Sequence, residues 1–182
     1  MERRSALLVI GGGVIGGPLD AAQQHPVSLA GTVASYKLQF FSPEQNETID
    51  RLAAMIIPPD DRSPGAREAQ VSLFIDLMVA NSGAAVQNEW LAGLSAVDKE
   101  VQARYGAAFS LCSAKHQEEI LAIMAAHETD PSTDLERFFV RLKGSTVDGY
   151  YTSHLGIHQE LRYQGNAVLS EFPGCKHPDH EI

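Results

Sequence analysis

Positive charge is the first thing this sequence is short of. Fourteen lysines and arginines face twenty-three aspartates and glutamates, for a formal net charge of −9. Gripping a phosphate backbone calls for a basic face, so a nucleic-acid partner is not expected. Long apolar runs are missing too: none approaches the roughly 20 residues a membrane-spanning helix needs. Cysteine is scarce, with only Cys112 and Cys175 and no C-x-x-C pair, so the redox compartment is not settled by count. The common signatures of chemistry are also absent. No H-E-x-x-H, G-x-S-x-G or Walker loop occurs anywhere in the 182 residues. What remains is an ordinary globular composition, 44% apolar and 20% charged, long enough for one domain with its own core.

The glycine-rich stretch "LLVIGGGVIGG", Leu7 to Gly17, satisfies G-x-G-x-x-G behind a short apolar run. A dinucleotide-binding turn needs a helix after the glycines and an acid about 20 residues later. Here Pro26 would break that helix after about two turns, and Glu44 comes too late. The chain beyond also lacks strand-helix alternation. An export signal fits better, since Arg3 and Arg4 precede an apolar run too short to span a bilayer. The start resembles a twin-arginine signal, used by proteins exported already folded. Small residues at Thr32-Val33-Ala34 suit a cleavage site. Residues 1–34 are therefore read as signal and linker, and 35–182 as the folded domain.

After a short extended piece, "YKLQFF", the periodicity becomes helical. Ser42-Pro43-Glu44-Gln45 combines an N-cap, a proline at the first helical position and a capping partner. Ile49, Leu52, Ala53 and Ile56 follow at helical spacing until Pro58-Pro59. Ser63-Pro64 is expected to open a second helix, burying Val71, Phe74, Ile75 and Met78 and ending near Asn81-Ser82-Gly83. A third runs from Ala84 to Tyr105 on Val86, Trp90, Leu94, Val97 and Val101, with Gly106 as its stop. The fourth follows Ser113 and carries Ile120, Leu121 and Met124. A fifth starts at Asp130-Pro131 or at Thr133, buries Leu135, Phe138, Phe139 and Leu142, and either passes Gly144 or breaks there. From Leu155 the chain reads as loop. The expectation is an all-α, single-domain array of about five helices, with an extended N-terminal segment and a loop-like C-terminal strap.

Candidate chemistry is thin. Asp60-Asp61 sits in a proline-rich turn, where a solvated or capping role is the default, and Asp76 among apolar neighbours reads as a partly buried group held by a structural hydrogen bond. The strap is denser. His154 and His158 share a face if the helix continues through Gly156, and Cys175, His177 and His180 are a set that could chelate a borderline metal such as zinc. The competing reading makes the strap a contact surface, with Tyr150, Tyr151, His154, His158, Tyr163, Phe172 and His177 facing a partner. Cys112 and Cys175 could bridge in an oxidising compartment or stay as two buried thiols.

The segments "FFSPEQNETIDRLAAMIIPPDDRSPGAREAQVSLFIDLMVAN", "FFVRLKGSTVDGYYTSHLGIHQELRYQGN" and "FPGCKHPDH" resemble the gluconate 2-dehydrogenase subunit 3 family, over nearly all of the chain after Tyr36. The most specific pieces are "IIPPDDRSPGA", "FID", "T-x-x-G-Y-Y-T-S" and "G-C-x-H-x-x-H". The resemblance implies an accessory subunit with no cofactor or catalytic residue of its own. Its partner would be a large FAD-bearing subunit of the glucose-methanol-choline type, in some cases with a cytochrome c carrying haem. It implies help in maturation and folded export of that subunit. The location would be the periplasm or the periplasmic face of the inner membrane, with membrane association through partners. Gluconate, fructose or the 3-hydroxyl of glucosides would be the substrate of the large subunit.

Overall fold

The computed structural model describes residues 36–166, and the arginine pair, the glycine run and the tail beyond Asn166 lie outside it. Within the described residues every regular element is a helix. They are α1 (Pro43–Ile56), α2 (Gly65–Glu68), α3 (Val71–Ala80), α4 (Ala84–Tyr105), α5 (Ala114–Ala125) and α6 (Asp134–Tyr151). A 3-10 turn at Phe109–Leu111 joins α4 to α5, and a π turn at Gly156–Glu160 follows α6.

Local chemistry sets most of the ends. Ser42 accepts from Gln45 N–H at 3.2 Å while the Gln45 side chain accepts from Ser42 N–H at 3.0 Å, a reciprocal pair that satisfies two donors at the start of α1. The same box recurs at α6, between Thr133 and Glu136, which decides between the two starts the sequence allowed. Glu136 is further tied to His127 at 2.5 Å and to Ser132 N–H at 2.8 Å. These bonds, His127 first, hold its carboxyl well below the usual range. Gly106, at φ 65°, ends α4 in the left-handed conformation an L residue resists.

The expected second helix is two helices. Gln70 takes φ 57° and divides α2 from α3. The inward face of α3 is Val71, Ser72, Ile75, Asp76 and Val79, shifted toward the polar Ser72 and Asp76. Met78, expected in the core, is 52% exposed, and Phe74 lies at the edge. The expected opening at Ser63 is also corrected: no side chain caps α2, and Ser63 is used elsewhere.

α6 is the central element, packed against α1, α3, α4 and α5. Leu135, Phe138, Phe139, Leu142 and Tyr150 point inward along it, and it runs unbroken through Gly144. Phe138 meets Trp90 edge-on, centroids 5.5 Å apart, and Trp90 meets Phe41 at 5.8 Å. This close crossing of α4 and α6 needs Gly93: a Cβ there would stand 2.1 Å from the Phe138 ring. Each large apolar side chain so buried contributes about 1.5–3 kcal/mol of transfer free energy.

Candidate functional site

The extended entry, residues 36–41, is fixed to α3 by one carboxylate. Asp76, fully buried, accepts from Tyr36 O–H and Gln39 N–H at 2.7 Å each, from Phe40 N–H at 3.0 Å and from Phe41 N–H at 2.9 Å. Burial pushes the Asp76 carboxyl up, but the bonds from Gln39, Phe41, Tyr36 and Phe40 outweigh it and hold it below the ordinary value. The Tyr36 hydroxyl is driven the other way, by burial and by its bond to Asp76, up to about 12. Asp76 thus has the structural role its apolar surroundings in the sequence indicated.

The proline-rich loop between α1 and α2 is closed on itself. Asp60 Oδ1 accepts from Arg62 and Ser63 N–H at 2.8 Å each, and Asp60 N–H donates back to Ser63 O at 2.8 Å. Those backbone donors hold the Asp60 carboxyl below its usual pKa, and the capping role expected of it is observed. Gly65, at φ 80°, lies so close to Pro58 and Pro59 that a Cβ would come within 2.8 Å of their backbone.

Ser63, held by that loop, faces Tyr150 from α6, and the two buried hydroxyls are hydrogen-bonded. This joins "IIPPDDRSPGA" to "T-x-x-G-Y-Y-T-S" across 87 residues. It also corrects the reading of Tyr150 as a partner contact. The side chain is 1% exposed, and its ring and hydroxyl are consumed inside this chain. Nothing in either motif alone indicates the pairing; a buried tyrosine's need for a partner is the usable hint.

Past α6 the chain turns tightly rather than forming the loop expected. Ser153 O–H donates to Tyr150 O at 2.6 Å and Ser153 Oγ accepts from Gly156 N–H at 3.0 Å. Gly156 is pressed against Tyr150, since a Cβ would sit 2.1 Å from that carbonyl oxygen. The π turn ends with Leu161 N–H on Gly156 O at 2.9 Å, and Tyr163 N–H reaches Ile157 O at 3.0 Å. The turn brings His154 and His158 together, ring centroids 4.5 Å apart and both exposed. Tyr151, edge-on to Tyr150, is 39% exposed, and Leu161 and Tyr163 are exposed beyond it.

Of the sequence-predicted contact residues, then, Tyr151, His154, His158 and Tyr163 share one end of the bundle at the surface, and Tyr150 lies beneath them. Phe172 and His177 lie outside the described residues. So do Arg3 and Arg4, and the metal set Cys175, His177 and His180. Cys112 is half-buried, its thiol 3.5 Å from Ala108 O, and its pairing with Cys175 falls outside with the latter. Among the described residues no three histidine, cysteine or acidic side chains converge as a metal site would require. Nor is any helix among them long and apolar enough to cross a membrane. A broad groove of about 860 Å³ opens on another side, lined by Thr48, Leu94, Phe109 and Leu111.

The buried-face periodicity of α6 passes over its outer stripe. Val140, Val147 and Tyr151 lie on that stripe, each more than a third exposed. Together with Leu161 and Tyr163 they make five of the nine large apolar side chains exposed among the described residues. A spacing of seven and four residues outside the buried face is the signal that marks it.

No curated protein matches the chain, and no solved structure does. The model of the family described as gluconate 2-dehydrogenase subunit 3 matches residues 43–168, from the first residue of α1 to just past the π turn. That is well over half of the sequence, so the chain belongs to the gluconate 2-dehydrogenase subunit 3 family, and its place is in a complex with other dehydrogenase subunits.

Proposed function

We propose that this chain is the non-catalytic small subunit of a periplasmic or membrane-associated flavoprotein dehydrogenase that oxidises a sugar, a sugar acid or a glucoside. In this reading FAD sits on a large subunit of the glucose-methanol-choline type, and a cytochrome c with haem takes the electrons where one is present. The small subunit stabilises the large one during maturation. Through Arg3 and Arg4 it supplies the signal by which the folded pair crosses the membrane.

The supporting observation is how the polar groups of the family-specific motifs are employed. Asp76, Asp60, Ser63, Tyr150 and Ser153 are spent on internal hydrogen bonds that hold the entry segment, the proline-rich loop and the end of α6 in place. Five of the nine large apolar side chains exposed among the described residues lie instead on α6 and just beyond it. A surface of that kind suits contact with another protein, because apolar patches left in water mark interaction sites.

Affinity purification of the full chain from its native membranes tests this. A large subunit with bound FAD, and sugar-dependent reduction of an electron acceptor by the complex, are expected. An isolated chain that oxidises a sugar by itself with bound flavin or nicotinamide would overturn the reading.

A further inference from the structure

We infer that the large dehydrogenase subunit packs on the outer stripe of α6, with its closest approach at Gly144. This rests on the reading of the chain as the small subunit of such a complex.

Three glycines near or within the helices have reasons inside the chain. A Cβ at Gly93 would meet the Phe138 ring at 2.1 Å, at Gly149 the Phe74 ring at 2.7 Å, and at Gly156 the Tyr150 carbonyl oxygen at 2.1 Å. Gly144 has none. It lies mid-way along α6, exposed, with helical backbone and nothing within 4 Å of where a Cβ would stand. Glycine inside a helix weakens it relative to alanine, so a helix that carries one without internal need is explained by a neighbour outside the chain.

The surroundings of Gly144 say what kind of neighbour. Val140 precedes it by four residues, and Val147 and Tyr151 follow by three and seven, forming one exposed row. The cations beside that row are closed on this chain's own acids: Arg137 on Asp134, Arg141 on Glu89, and Lys143 on Glu128. In a protein of net charge −9 this face carries no free cation among those three, and beside its apolar row it exposes one carboxylate, Asp148, four residues after Gly144. The complementary surface is therefore apolar over the row, small enough in contour to reach the α6 backbone at Gly144, and places a hydrogen-bond donor or cation opposite Asp148. A lipid surface would instead favour lysines and arginines turned outward to the headgroups.

The experiment uses the tagged full-length chain in the cell that makes it, with FAD recovered per chain as the readout. Melting temperature and size of the isolated chain are followed in parallel. Gly144→Ala is expected to raise the melting temperature, yet lower FAD recovery by roughly tenfold. Val147→Glu should lower recovery at least as much with the melting temperature unchanged, and Leu111→Glu, exposed away from α6, should leave it at the wild-type level. Wild-type recovery with both α6 variants would overturn the assignment of this face. An isolated chain that dimerises through the stripe, with Val147→Glu making it monomeric, would overturn it in favour of a second copy. A wild-type chain that brings down no flavin subunit fails one step earlier, at the small-subunit reading, and removes the occupant named here.

Discussion

The carboxylate of Asp76 accepts the backbone N–H of Phe41 at 2.9 Å, and through it the extended entry is locked to the buried face of α3. The same two oxygens serve Tyr36, Gln39 and Phe40, so one side chain satisfies four donors that have no helix or sheet to satisfy them.

Asp76→Asn replaces one of those oxygens by an amide that can only donate, so a donor faces a donor whichever way the side chain turns. The expected loss is about 2–4 kcal/mol, measured by urea unfolding at pH 7. Because the folded carboxyl titrates below its unfolded value of about 3.9, its contribution is present above that pH and drains away as pH falls through the folded value. The gap between wild type and variant should therefore narrow on acidification below about pH 4. A residual acid loss persists in the variant, since Glu136 is shifted in the same direction. A gap that stays constant down to about pH 2 would show that Asp76 carries none of the acid sensitivity.

The Ser63–Tyr150 bond invites a double-mutant cycle. Ser63→Ala and Tyr150→Phe each strand the other hydroxyl in a buried site, at about 1–3 kcal/mol apiece. The double variant should cost clearly less than the two added together, because no unpaired hydroxyl is left. Additive losses in unfolding free energy would mean the two groups do not depend on each other.

Gly93→Ala drives a methyl into the Phe138 ring where α4 crosses α6. The crossing must open or the ring must leave its place against Trp90, at about 1–3 kcal/mol. The melting temperature should fall, and the tryptophan fluorescence of Trp90, the sole tryptophan in the sequence, should change with it. An unchanged melting temperature would place the α4–α6 contact elsewhere.

Much of this fold is legible residue by residue in the chain itself. The Ser42–Gln45 box, the run from Ala84 to Tyr105 with Gly106 behind it, and the Leu135–Leu142 stripe each follow from signals within one or two turns. The candidate site is legible only in part. Tyr151, His154, His158 and Tyr163 do share one end of the bundle, but Tyr150, adjacent to Tyr151, points into the core because neighbouring helix positions differ by about 100°. Met78 leaves the core for a related reason. The buried face of α3 takes in Ser72 and Asp76, polar residues that a count of apolar positions passes over, and this leaves Phe74 and Met78 at its edge.

The sequence by itself determined the limits of α1 and α4 and the apolar stripe of α6, since their caps and periodicity are set by neighbours a few residues apart. Only the tertiary structure decided that Ser63 serves Tyr150, that Asp76 anchors Phe41, and that Gly93 is filled while Gly144 is bare. Those outcomes depend on which residues distant in the chain are brought within about 3 or 4 Å. Hydrogen bonds and steric contact act only at that range, and the packing of the helices, not the order of the residues, sets it.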